Sequence, residues 1–150
     1  MTRTIFIHWG LPRTGTTAFQ RFLGENSTFL ADQGVLYPRM GWLGSPHPAH
    51  HNIAWQLIGD PRFSPARGTI ADLLAEVQQH DGNVLLSSED FVMTPHHQGA
   101  LAGFISQLRE LAFQVVVVLV LRHQREFAYS LYAEMVGHQR LPMDFSDFLA

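Results

Sequence analysis

The sequence predicts an α/β fold, a parallel sheet covered by helices on both faces. Two features carry that expectation. Strand-like and helix-like stretches alternate along the chain, and the strand-like runs are apolar without alternation, as strands buried on both faces are. The 150 residues hold 46% hydrophobic and 15% charged side chains, enough apolar material for one domain spanning 1–150 and too little charge for disorder.

Thr4 to Trp9 (TIFIHW) reads as the first strand, stopped by Gly10, Leu11 and Pro12, after which Phe19, Phe22 and Leu23 recur at helical spacing. Ser27 to Gln33 suits a second, short helix. Gly34 to Ser64 is rich in Gly, Pro and His and offers one helix near Asn52 to Ile58. Thr69 and Asp72 have the spacing of a capping box, and Ile70, Leu73, Leu74 and Val77 continue it as a helix over 70–80. Asn83 to Ser88 (NVLLSS) is the next buried strand. Thr94-Pro95 is expected to open a helix with the stripe Leu101, Phe104, Ile105, Leu108 and Ala112. Phe113 to Leu121 is the strongest strand, too apolar on both faces for a wet sheet edge. Phe127, Leu131 and Met135 mark a helix stopping near Gly137, and a further helical pattern begins at Asp144.

The net charge of −3 argues against a broad cationic face, so no nucleic-acid partner is expected and any anion site must be local. All ten basic residues are arginine, each a planar fork suited to phosphate or sulfate oxygens. No cysteine is present, which removes thiolate chemistry and fits a reducing compartment. The longest strongly apolar run, Val115 to Leu121, is far short of a membrane span, and the first residues lack the apolar core of a signal peptide. The expected location is the cytoplasm.

In open α/β sheets ligands bind beyond the carboxyl ends of the strands. Three exits are polar here: Gly10 to Thr17, Ser87-Ser88-Glu89-Asp90, and Arg122-His123-Gln124-Arg125. The first has the G-x-x-x-x-G spacing of a phosphate loop, in which backbone N–H groups and a helix N-terminus wrap an anion. Thr16 and Thr17 stand at the Lys and Ser/Thr positions, so Arg13 is the only charge inside the loop and triphosphate hydrolysis is disfavoured. The simpler reading is a turn that merely connects strand to helix. Ser130 and Glu134 interrupt the stripe Phe127, Leu131, so they need polar partners. A hydroxyl bonded back to its own helix is the plainer alternative for Ser130.

These residues resemble the sulfotransferase family, enzymes using 3'-phosphoadenosine 5'-phosphosulfate, and especially bacterial members with a P-[KR]-[ST]-G-T-T loop, here Pro12-Arg13-Thr14-Gly15-Thr16-Thr17. A second family signature, an arginine at the end of a buried strand with a serine eight residues on, is matched by Arg122 and Ser130. Gly34 to Pro38, His50-His51-Asn52 and Leu86 to Glu89 are also similar to the bacterial branch. The resemblance implies a three-layer P-loop-like fold and a chain that normally continues further, so that these residues correspond to its N-terminal part. It implies that the loop holds the donor's 5'-phosphosulfate and that Arg122 and Ser130 hold its 3'-phosphate.

On this reading Arg13 and Thr16 stabilise the leaving group, Thr14, Gly15 and Thr17 cradle the 5'-phosphate, and no metal is required, because the transferred group carries less negative charge than a phosphoryl group. The loop and Arg122 would then grip opposite ends of one bisphosphorylated molecule. Two residues are candidate bases for the hydroxyl acceptor, a carbohydrate or small metabolite. Glu89, slightly favoured, sits at a strand exit where the resemblance places catalytic or acceptor-binding groups, and carboxylates serve as general bases; His51 has a suitable imidazole. For Glu89 the rival role is a salt bridge or helix-start neighbour, and for His50-His51 a solvated loop. The clusters His47, His50, His51 and His96, His97 lack a recognised zinc spacing. Trp42 and Trp55 are candidates to line an acceptor cleft, with core packing the commoner use. Two rivals stay open: another P-loop nucleotide-binding enzyme such as a small-molecule kinase, favoured by the Glu89-Asp90 pair, and a non-catalytic truncated remnant. Homo-oligomerisation is left open.

Overall fold

A computed structural model describes residues 2–11, 13–139 and 143–149. Four parallel strands form one sheet: β1 (Arg3–Gly10), β2 (Val35–Leu36), β3 (Asn83–Ser88) and β4 (Phe113–Val120), in the order β2-β3-β1-β4. The helices are α1 (Thr16–Glu25), α2 (Ser27–Asp32), α3 (His51–Ile58), α4 (Ile70–Gln78), α5 (Gln98–Glu110), α6 (Gln124–Gln139) and α7 (Phe145–Phe148).

The strand period of two divides the sheet into two faces. Ile5, Ile7, Val84, Leu86 and Phe113 point one way and form the core with Ile53, Leu57, Leu73, Val77, Phe104 and Leu108 from α3, α4 and α5. On the other face His8 meets Phe19 edge-on, with ring centroids 5.0 Å apart, and Gln20 reaches Ser87, so α1 packs there. Helices therefore cover both faces of the sheet. The capping box predicted at Thr69 is present: its hydroxyl accepts from the Asp72 N–H while the Asp72 carboxylate accepts from the Thr69 N–H.

The structure adds one strand and corrects three expectations. β2 went unread because two residues carry no periodicity; it is placed by the Asn83 N–H donating to Gly34 O at 2.8 Å. Thr94-Pro95 does not open a helix: both lie inside a 3₁₀ run, Asp90–His97, where the Thr94 hydroxyl donates back to Phe91 O at 2.7 Å, and α5 begins only at Gln98. β4 is an edge strand, with no strand on its outer side among the described residues. Its first residue is buried at 3% exposure, but Val117 and Leu119 are 44% and 49% exposed; the core shared with α5 takes in Phe113 and Val115 and no later residue of the strand. α6 also runs two residues beyond Gly137.

These placements predict unequal costs for similar truncations. Leu86→Ala should lose about 2–5 kcal/mol of stability in urea unfolding, and Leu119→Ala well under about 1 kcal/mol. Equal losses would contradict the edge position of β4.

Candidate functional site

The parallel register sets Trp9 beside Ser88 and Leu119, and Gly10 beside Val120, so the polar exits of β1, β3 and β4 meet at one end of the sheet. Gly10 makes the first exit tight: a Cβ there would lie 1.8 Å from Thr16 Cγ2. The loop then turns through two left-handed residues, Arg13 (φ 66°) and Gly15 (φ 82°). Glycine takes this conformation freely; for Arg13 it costs roughly 1–2 kcal/mol, which the surrounding bonds must offset. The Thr14 hydroxyl closes the turn by donating to Leu11 O at 2.6 Å. Pro12 lies outside the described residues.

Gly15 caps α1 and offers no side chain, and the first turn of the helix contains no acidic residue. Its leading N–H groups thus keep the donor capacity and partial positive charge that favour an anion. Around them a cavity of about 360 Å³ is lined by Arg13, Gly15, Thr16, Thr17, Glu89, Arg122, Ser130 and Glu134. A second, of about 310 Å³, is bounded by Arg13, Thr14, Gly15, Leu121 and Arg122. The expected donor-site residues therefore converge, although they come from β1–α1, the end of β4 and α6.

Their contacts are specific. Arg13 Nε donates to Ser130 Oγ at 2.9 Å and lies 3.6 Å from a Glu134 carboxylate oxygen. Arg122 donates through Nη1 to the carbonyl of Arg13 at 3.0 Å and through Nε to Glu126 at 3.3 Å. Ser130 thus bonds across to the loop and not to its own helix. Arg122 sits directly on the loop, so the two proposed grips adjoin each other. The Thr16 hydroxyl, in a side chain only 3% exposed, donates to Glu89 Oε1.

His51 is placed elsewhere and does not line this cavity. Its Nδ1 lies 2.8 Å from Asp90 Oδ2 and 2.9 Å from Ser88 Oγ. A bare Nδ1 would oppose its lone pair to a carboxylate, so Nδ1 carries a proton and donates it to Asp90. Trp55 Nε1 donates to the same Asp90 oxygen at 2.7 Å. Burial pushes the Asp90 carboxyl up, but the hydrogen bond and charge of His51, the Trp55 N–H and the Arg62 charge outweigh it and hold the carboxyl below its usual range. His50 is structural: Nδ1 accepts from the Ser87 N–H at 3.1 Å and Nε2 donates to Pro38 O at 2.9 Å. Complete burial lowers it to about 4, against the raising effect of its backbone bonds.

The tryptophans divide. Trp55 is buried and serves Asp90, while Trp42 borders a separate cavity of about 410 Å³ with Arg21, Arg39 and Pro48. Neither lines the loop cavity. Beneath the loop, His8 and Gln20 converge on Ser87 Oγ at 2.8 and 3.2 Å, a buried polar cluster that went unpredicted. Its signals were present: Gln20 falls on the buried phase of α1 with Thr16 and Leu23, and His8 is a ring nitrogen pair inside an apolar strand.

Compared with known proteins, the chain matches no family model, no curated protein and no solved structure.

The buried His50 fixes a pH dependence. Its folded pKa is depressed from 6.5 to about 4, so the unfolded chain binds the proton more readily. Its contribution is complete above the unfolded value and is lost as pH falls from about 6.5 toward about 4, a loss on the order of 3 kcal/mol. Urea unfolding at pH 7 and pH 4.5 should show this decline, to which buried His8, its pKa also lowered by burial, adds with the same sign; His50→Gln should shrink the difference, and an unchanged pH dependence in that variant would contradict the assignment.

Proposed function

We propose that the chain is a sulfotransferase domain that binds 3'-phosphoadenosine 5'-phosphosulfate and moves its sulfuryl group to a hydroxyl of a carbohydrate or small-molecule acceptor, without a metal. The observation that carries this reading is the convergence of an uncapped helix start, two arginines and the Glu89 carboxylate on one cavity, with Glu134 paired to Arg13. The donor supplies an activated sulfuryl group joined to phosphate through a bridging oxygen.

The chain's residues then have distinct tasks. The N–H groups of Thr16 and Thr17 and the turn at Thr14-Gly15 hold the 5'-phosphate, as the helix terminus favours. Arg13 is assigned to the negative charge that grows on the departing phosphate oxygen, with Thr16 assisting through its backbone N–H, since its hydroxyl proton is given to Glu89. Arg122 and Ser130 hold the 3'-phosphate. Glu89 takes the acceptor's proton as its oxygen bonds to sulfur and the bridging S–O bond breaks. Glu89 is preferred to His51 because it borders the cavity and contacts Thr16.

Both arginines carry internal partners that an anionic ligand must replace: Arg13 has Glu134 and Arg122 has Glu126. These pairs are partly exposed and each opposes binding by only about 0.2–1 kcal/mol. The rival kinase reading is supported by the acidic pair Glu89-Asp90, but only Glu89 borders the loop cavity, and Asp90 is held by His51 and Trp55.

Calorimetric titration with adenosine 3',5'-bisphosphate should therefore show binding that does not depend on magnesium; absence of binding by the folded chain would defeat the donor assignment, and a magnesium requirement would favour the kinase. Arg122→Ala should weaken that ligand far more than it weakens adenosine 5'-phosphate. Glu134→Gln should tighten it, by up to about fivefold.

A further inference from the structure

We propose that His51 and Asp90 are positioning residues for Glu89: they anchor the turn after β3 to α3 and thereby aim the Glu89 carboxylate at Thr16 and the loop cavity. The proposal rests on Glu89 as the carboxylate of the site and adds what holds it there.

Glu89 leaves β3 with φ −70° and ψ −32° and leads into the 3₁₀ run that begins at Asp90. Its carbonyl accepts the Val92 N–H at 3.2 Å, and its neighbours are tied to α3. Two residues before it, Ser87 donates its N–H to the His50 ring and accepts the His50 N–H at its carbonyl, 2.8 Å away. Immediately before it, the fully buried Ser88 lies 2.9 Å from His51 Nδ1 and accepts the Asp90 N–H at its Oγ, 3.1 Å away. Immediately after it, Asp90 Oδ2 takes the ring N–H of His51 and the indole N–H of Trp55. The start of α3 thus holds residues 87, 88 and 90.

Successive side chains in a 3₁₀ turn diverge by about 120°. With Asp90 turned toward α3, Glu89 must point well away from that helix, and it meets Thr16. Asp90 is suited to the task because one carboxylate oxygen can accept two donors at once, and both donors come from the same helix, four residues apart, on one face. His51 thereby acts through Asp90 and Ser88 and not by touching the loop cavity.

The test is whether Asp90 controls the coupling between Thr16 and Glu89. A double-mutant cycle with Thr16→Val and Glu89→Ala, read by urea unfolding of the full chain, should give a measurable coupling in the wild-type background. In an Asp90→Ala background that coupling should fall by at least half, and Asp90→Asn, which keeps an oxygen to accept both N–H groups, should restore it. A merely structural Asp90 would lower stability equally in all four members of the cycle and leave the coupling intact, which would overturn the proposal, as would no coupling in the wild type. ¹⁵N spectra of the wild-type imidazoles give a check that needs no variant: His51 should be protonated at Nδ1, and a bare Nδ1 would overturn it. None of these readouts uses a nucleotide, so their failure is separable from failure of adenosine 3',5'-bisphosphate to bind.

Discussion

β1 lies hydrogen-bonded in parallel register between β3 and β4, and every functional contact follows from that placement. Because the three strands run the same way and end at the same level, residues more than a hundred positions apart in sequence, Arg13 and Ser130 or Arg13 and Arg122, come within hydrogen-bonding distance. An antiparallel neighbour on either side would send one exit to the opposite end of the sheet. The hydrophobic packing of Ile5, Ile7, Val84 and Leu86 against α3, α4 and α5 locks this register, since a slip of one residue would turn the core face outward.

On that base the electrostatics are local and balanced. A chain of net charge −3 cannot attract an anion over a distance, and the cavity itself holds Glu89 and Glu134 beside Arg13 and Arg122. What distinguishes it is arrangement. The arginines are held by weak, partly exposed pairs, whereas the N–H groups at the start of α1 have no side-chain cap at all. Under the proposed function, an incoming phosphate would exchange partners with the arginines at small cost and satisfy the helix terminus. Glu89 differs from Glu134 in this respect: its partner is a buried hydroxyl and its neighbours are tied to α3, so it stays in place while Glu134 can be displaced.

Much of this was legible in the sequence, for physical reasons that also explain the omissions. Three strands, the capped helix over 70–80 and the glycine turn are specified by local patterns of apolarity and turn chemistry, which a linear reading can detect. Ser130 and Glu134 were visible as polar interruptions of a helical stripe, and their partner is the loop. What remained hidden depends on tertiary proximity. The His51–Asp90 pair spans 39 positions with no motif, and Trp55 had no local sign that its indole would serve a carboxylate. β4 shows the limit of composition: FQVVVVLV is as apolar as an interior strand, yet the far half of it is exposed at an edge, because apolarity states what a strand would bury and not what is available to cover it.

On the proposed function, the turn at Arg13–Thr17 and the guanidinium of Arg122 hold two phosphates of one nucleotide. Amide and guanidinium ¹⁵N shifts followed during titration with adenosine 3',5'-bisphosphate address it most directly. The account predicts that the Thr16 and Thr17 backbone signals and the Arg122 Nε signal move together along one binding curve, and that adenosine 5'-phosphate moves the loop signals while leaving Arg122 nearly still. Loop signals that stay fixed, or an Arg122 signal that responds alike to both nucleotides, would contradict it.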